Sequence, residues 1–268
     1  APENTLAAFE RAVEIDADWF ELDCQLSADD RVVVIHDDTV DRTTDGGERA
    51  VAALPCADLQ ALDAGTWFAP EFAGERIPTL AESLELAKGR IGVYVEIKSC
   101  DDDSALHERL MAACAGHAEM DPALRRLLMQ VITDSGTRNI EIARRSIEVI
   151  RDQRMQHQVV VQSFSPVVCF VVLSEAPELR VEFLGSDDLD KPEQWPQYVA
   201  FGHLMGAAGF NVAKDSLTRQ RIADFHASGK TVAVWTVDEP AAIERFARWG
   251  VDAVITNKPD VALETLER

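Results

Sequence analysis

Short apolar runs alternate with amphipathic stretches along the chain, and that alternation predicts strands followed by helices. Residues 2–15 place Leu6, Phe9, Ala12 and Val13 at helical spacing, with Asn4 or Thr5 positioned as the cap. An apolar run carrying two acids follows near residue 20, then a polar turn at Ala28, Asp29 and Asp30. A second apolar piece at 32–35 reads as a hairpin extension of that first strand. From 39 to 78 the pattern dissolves into RTTDGG, short apolar pieces and Pro/Gly punctuation, an excursion from the main layers rather than a second domain. Thr79 and Glu82 have capping-box spacing and open a helix to about Lys88. A strand at 91–97 and a helix over roughly 104–115 come next, and 134–158 holds a helical stretch that reads as an insertion.

The alternation then resumes. Strands are expected at 159–164, 180–185, 210–213, 231–237 and 252–257, with a Trp/Pro-rich connection before 210. Helices are expected from about Pro166, over 218–228, over 240–249 and after Pro259. Near-continuous apolar strands separated by helices imply a parallel sheet, hence an α/β fold. The barrel-type strands, at about 20, 92, 160, 181, 210, 232 and 253, are seven. A length of 268 residues suits one TIM (β/α)8 barrel domain, with the 39–78 excursion within it. Such a barrel has eight strands and begins on one. This sequence begins on a helix, so the first strand is expected to be missing from it.

Composition narrows the partners. A formal net charge of -21 removes phosphate-backbone attraction, so nucleic acid is not an expected partner. No apolar run approaches membrane-spanning length, and no stable membrane insertion is expected. Five cysteines (24, 56, 100, 114, 169) lack metal-site spacing and read as small buried hydrophobes in a reducing, cytoplasmic setting. The chain starts at Ala1 without a methionine, which leaves a removed signal open. Oligomeric state is not legible.

The chemistry sits at strand ends. Glu21 and Asp23 are two residues apart, so a strand sends both side chains to one face. Alone, that pattern describes a solvated edge strand. Glu96 and Lys98 repeat the spacing near the end of the next barrel strand, where barrels assemble their sites. Glu21, Asp23 and Glu96 then form an oxygen-only ligand set suited to Mg²⁺ or Ca²⁺ and not to Zn²⁺. Lys98 supplies a second positive charge for a phosphate ester, and His36 an acid/base near neutral pH. Together these pieces describe phosphoester cleavage.

The stretch from APENTLAAFE through DRVVVIHDDTVDRTTDG resembles the N-terminal part of the glycerophosphodiester phosphodiesterase family. PTLAESLEL, VYVEIK, VVVQSFSP, VWTVDEP and DAVITNKPD are similar to its later blocks, so the resemblance spans nearly the whole chain. It implies a TIM barrel with a small insertion after the second strand, here 39–78, that hydrolyses glycerophosphodiesters to glycerol 3-phosphate and an alcohol, within lipid and glycerol metabolism. It further implies Glu21, Asp23 and Glu96 as metal ligands, His36 as one of two catalytic histidines, and Lys98 facing the phosphate. Trp235 resembles a tryptophan that walls the substrate cleft, and a core aromatic is an equal reading of its spacing. Gln162, at a strand end, is a weaker candidate for polar contact with substrate. Glu3 and Asn4 match a turn beside the site, with helix capping as their plainer role.

Some blocks depart from the family. Its His-Arg-Gly motif, which supplies the other histidine and a phosphate-binding arginine, belongs just upstream of PENT and is not in the sequence. That agrees with the strand count: either the sequence starts late or the protein is an impaired, binding-only homologue. Asn257 and Lys258 are mild variants of a terminal block, and 134–158 has no assigned role. The competing readings are phospholipase-D-like action on lysophospholipid head groups and a Mg²⁺-dependent lyase or isomerase.

Overall fold

The structure, a computed structural model, describes residues 1–187, 191 and 194–268. Along the described residues the elements are α1 (Leu6–Glu14), β1 (Trp19–Leu26), β2 (Val32–Val34), α2 (Cys56–Leu59), α3 (Leu80–Ala87), β3 (Gly92–Ile97), α4 (Ser104–Cys114), α5 (Pro122–Ser135), α6 (Asn139–Asp152) and β4 (Val159–Ser163). There follow α7 (Pro166–Glu175), β5 (Arg180–Gly185), α8 (Gln194–Met205), β6 (Gly209–Ala213), α9 (Arg219–Ala227), β7 (Thr231–Trp235), α10 (Pro240–Trp249), β8 (Ala253–Val254) and α11 (Pro259–Thr265). The fold is α/β. It divides into two compact units, residues 1–103 with 132–161 and residues 104–131 with 162–268.

In the first unit β1 pairs parallel with β3 and antiparallel with β2, so 32–35 is the hairpin arm the sequence implied. Leu22 and Cys24 are fully buried, and Phe20 stacks on Phe9 of α1 with ring centroids 4.3 Å apart. The opposite face is covered too, with Asp23 only 6% exposed. A solvated edge strand is therefore not what forms. Thr79 and Glu82 make the expected capping box, which satisfies two otherwise orphaned N–H groups at the start of α3.

The 39–78 excursion folds onto the hairpin rather than away from it. Val40, Val51, Cys56, Leu59, Ala64 and Ile77 bury themselves against Val33 and Ile35. Its far loop is closed by the Asp63 carboxylate, which accepts from the backbone N–H groups of Gly65, Thr66 and Gly74. The 134–158 stretch is no loose appendage either. Its α6 buries Ile142, Ile147 and Ile150 and packs against β2, β3 and α3.

In the second unit β5, β6, β7 and β8 run parallel in that order. Two helices were not legible in the sequence. The first is α5, which runs into the 134–158 stretch from residues 122–133, where no element was expected. The expected Trp/Pro-rich connection is largely helical in α8, where Pro196 lies in the first turn and needs no helical N–H partner. The rest of that connection, at 188–190 and 192–193, lies outside the described residues. Cys24, Cys56, Cys114 and Cys169 are buried and Cys100 is half-buried, all five as free thiols. Among the described residues no helix is long and apolar enough to cross a membrane.

Candidate active site

The β1–β3 register sets the centre of the site. Asp23 lies opposite Glu96, and strand alternation places Glu21 on the same face as Asp23. One carboxylate oxygen from each of Glu21, Asp23 and Glu96 falls within 4.8 Å of the others. The Lys98 backbone N–H donates to the Cys24 carbonyl (3.1 Å), which continues the pairing past the end of β3. Its ammonium then reaches back to Asp23 Oδ1 at 2.8 Å and Glu96 Oε1 at 2.5 Å.

Three carboxylates around one ammonium leave a local surplus of negative charge. Burial raises the Glu96 carboxyl above its usual range, with Asp23 adding to the rise and Lys98 opposing it. Desolvation pulls the Lys98 ammonium down, but the charges of Asp23 and Glu96 outweigh it and hold its pKa well above the usual value. A compact, mostly buried all-oxygen set with excess negative charge fits a divalent cation. The expected ligand trio is therefore brought together, with Lys98 beside it.

Asn4 supports this centre from outside the sheet. It sits in the left-handed region (φ 54°), which Asn tolerates better than most residues. From there Nδ2 donates to Asp23 Oδ2 (2.8 Å) while Oδ1 accepts from the Asp23 N–H (3.1 Å). One Asp23 oxygen is thus held by Asn4 and the other by Lys98. The helix cap is Thr5, whose hydroxyl accepts from the Ala8 N–H. Capping is not the role of Asn4.

His36 follows the hairpin. The Ile35 N–H donates to the Asp23 carbonyl (2.9 Å) and Gln25 Nε2 donates to the His36 carbonyl (3.0 Å), which fixes the backbone that carries the ring. His36 Nδ1 lies 2.7 Å from Asp37 Oδ1. Arg42 bridges Asp37 and Glu3, reaching Glu3 Oε1 at 2.7 Å and Oε2 at 2.9 Å. The Arg42 hydrogen bond leads in holding the Asp37 carboxyl down to about 2, against desolvation and with help from His36. Sequence reasoning missed Gln25, Asp37 and Arg42. Arg42 stands within RTTDGG, which carries no periodicity; the available signal was a lone cation in a run of acids after His36.

Trp235 and Gln162 belong to the second unit. Trp235 Nε1 donates to the Asn211 carbonyl (3.2 Å), and exposed Phe164 meets its ring edge-on at 5.5 Å. Gln162 is 1% exposed and its Oε1 accepts from Asn211 Nδ2.

The sequence matches the model of the Glycerophosphoryl diester phosphodiesterase family over residues 1–261. It is 31% identical to a glycerophosphodiester phosphodiesterase of Caldanaerobacter subterraneus, across 100% of this chain and 93% of that protein. A glycerophosphodiester phosphodiesterase of Bacillus subtilis is 27% identical, across 97% of this chain and 80% of that protein. Among solved structures, an Oleispira antarctica phosphodiesterase in complex with the product sn-glycerol-3-phosphate superposes with a TM-score of 0.79 at 26% identity, covering 100% of this chain and 92% of that one. These relatives share the TIM-barrel α/β fold that the strand pattern implied. With a match of this length laid over a carboxylate trio, a lysine and an oriented histidine, the chain belongs to the glycerophosphodiester phosphodiesterase family.

Proposed function

We propose that the protein hydrolyses glycerophosphodiesters to glycerol 3-phosphate and an alcohol, with a divalent cation, Mg²⁺ or Ca²⁺, held by Glu21, Asp23 and Glu96. The observation that carries this reading is the mostly buried trio with the Lys98 ammonium against two of its members. When bound, such a cation polarises a phosphoryl oxygen as a Lewis acid. Lys98 balances the remaining charge of the phosphodiester. Asp37 accepts from His36 Nδ1, which turns Nε2 into the atom available for proton transfer.

Glu3 and Asn4 act through protein groups in this reading: Asn4 sets Asp23, and Glu3 sets Arg42. Within the second unit Trp235 and Phe164 form an aromatic pair suited to an apolar wall, and Gln162 serves as the partner of Asn211. The family match over 1–261 supports one phosphodiesterase domain. The deciding assay is glycerol 3-phosphate release from glycerophosphocholine with Mg²⁺ or Ca²⁺, and again after chelation. Release that stops with chelator is expected. Metal and glycerol 3-phosphate binding without turnover would instead identify a binding homologue.

A further inference from the structure

The short segment between α5 and α6 has no place in the chemistry so far, yet it is bonded to both arms of the site. Asn139 is fully buried at the start of α6. Its Oδ1 accepts from the backbone N–H groups of Cys100 (2.5 Å) and Asp101 (3.3 Å). Its Nδ2 donates to the Asp101 carbonyl (3.2 Å) and to the Asp103 carboxylate. Thr137 Oγ1 donates to Asp103 Oδ1 (2.8 Å), and the Arg138 N–H donates to Asp101 Oδ2 (2.5 Å). The Arg138 guanidinium reaches Asp30, in the turn of the β1–β2 hairpin, at 2.8 Å.

These bonds begin two residues beyond Lys98. The chain leaves β3 at Ile97, and the Lys98 N–H donates to the Cys24 carbonyl of β1 just beyond that end. Cys100 on Asn139 is the next fixed point. Lys98 and Ser99 are therefore held between two anchors, one on β1 and one on α6. Lysine has a flexible stem and a point charge, so its backbone must be fixed for the ammonium to stay between two carboxylates. Only an amide suits position 139, because it must accept from two N–H groups and also donate to a carbonyl and a carboxylate. A carboxylate there would face Asp101 and Asp103, and an apolar side chain would leave buried polar groups unmade.

We propose that Asn139 is a positioning residue for the site: by fixing the loop that leaves β3 it holds the Glu96–Lys98 arm against Asp23. This rests on the cation-site reading above, and it gives the 134–158 stretch a task. Supporting groups around a metal site are worth about 10–100-fold in affinity or activity.

The test uses the full chain and four readouts: thermal midpoint, binding of Mn²⁺ alone followed by electron paramagnetic resonance, and kcat and KM for glycerophosphocholine. Asn139→Ala should weaken Mn²⁺ binding and lower kcat by roughly tenfold each, with KM moved by less than about threefold. Asn139→Asp should be at least as impaired. The exchange Asn139→Asp with Asp103→Asn rebuilds the carboxylate–amide pair in reverse but not the bond to the Asp101 carbonyl, so it should recover part of the Mn²⁺ binding and kcat lost in Asn139→Asp. Arg145→Ala, which breaks only exposed ion pairs on α6, should move neither. A lowered thermal midpoint with wild-type Mn²⁺ affinity and kcat would mean a purely structural role and overturn the proposal. So would a folded double exchange that restores nothing. If Asn139→Ala does not fold, Thr137→Val replaces it, with a smaller shift in the same direction expected and no shift counting against the proposal. Mn²⁺ binding needs no substrate, so absence of turnover in the wild type would sink the functional reading while this readout still decides the role of Asn139.

Discussion

Two places in the first unit use the same device, one cation shared by two carboxylates, in opposite surroundings. Lys98 lies between Asp23 and Glu96 with side-chain exposures of 18%, 9% and 10%. Arg42 lies between Glu3 and Asp37 with exposures of 45%, 41% and 29%. In the buried group Coulomb terms are large and every ion has a desolvation cost of several kcal/mol, so the set is poised rather than relaxed. In the exposed group water and salt screen the charges, and what remains is geometry. The residue types match. A lysine is a compact charge on a flexible stem that can shift toward a phosphate, whereas the arginine fork locks carboxylates in fixed planes. The first arrangement suits an ion and a substrate, the second suits holding His36 in place.

The largest effect expected from breaking this contrast is at the carboxylates. Glu21→Ala, Asp23→Ala and Glu96→Ala should each lower metal-dependent turnover by at least about a thousandfold, since the proposed cation would lose one ligand of three. Removing one member of a buried ion pair usually costs about 3–5 kcal/mol, but here a repelling neighbour leaves as well, so the stability loss should fall below that range. Initial rates at saturating Mg²⁺ and Ca²⁺, with thermal midpoints alongside, check both statements. Near-wild-type rates in all three variants would remove the cation site from the mechanism.

Lys98 sharpens the contrast from the other side. Lys98→Met leaves three carboxylates within 4.8 Å of one another without their ammonium. The metal-free protein should lose about 3 kcal/mol of stability, and kcat should fall by about a hundredfold. Added Mg²⁺ or Ca²⁺ should then raise the thermal midpoint of Lys98→Met more than that of wild type, because ligand binding to the folded state stabilises it in proportion to its affinity. An equal rise in both would show that the ammonium and the cation do not compete for the same charge.

How much of this was legible beforehand follows the range of the interactions. Glu21 with Asp23, and Glu96 with Lys98, could be read because a strand has a period of two: the first pair sits in β1, and the second runs from β3 to the residue just past its end. The capping box of Thr79 and Glu82 and the parallel strands were local patterns as well. Arg42 and Asn139 were not readable. Arg42 meets Glu3 across 39 positions through loops without periodicity, and Asn139, at the start of α6, meets Cys100 in a loop across the same span. Asn4 lay between. Its place in the sequence marked it as turn or cap, but its bonds to Asp23 depend on a left-handed backbone that spacing does not reveal. The sequence therefore exposed residues that act along a strand and hid those that hold the strand ends still.

The smallest expected effect belongs to the exposed group, through Asp37. The Arg42 hydrogen bond is the chief cause that holds the Asp37 carboxyl below the usual 3.8, down to about 2. A carboxyl depressed in the folded state contributes stability above the unfolded value and loses it as pH falls through the folded one. Asp37 should therefore stabilise the protein fully above about pH 4 and not below about pH 2, and with partial exposure the contribution is on the order of 1 kcal/mol. Asp37→Asn should flatten that part of the stability–pH curve, measured by denaturant unfolding between pH 2 and pH 5. At neutral pH the same variant takes the carboxylate away from His36 Nδ1, so kcat should fall about tenfold or more while KM changes little. A flat acid limb with unchanged kcat would leave Arg42 and Asp37 as scaffold alone. A fall in kcat with an unchanged acid limb would place the whole worth of the pair in orienting the ring, and the contrast with Lys98 would then rest on geometry.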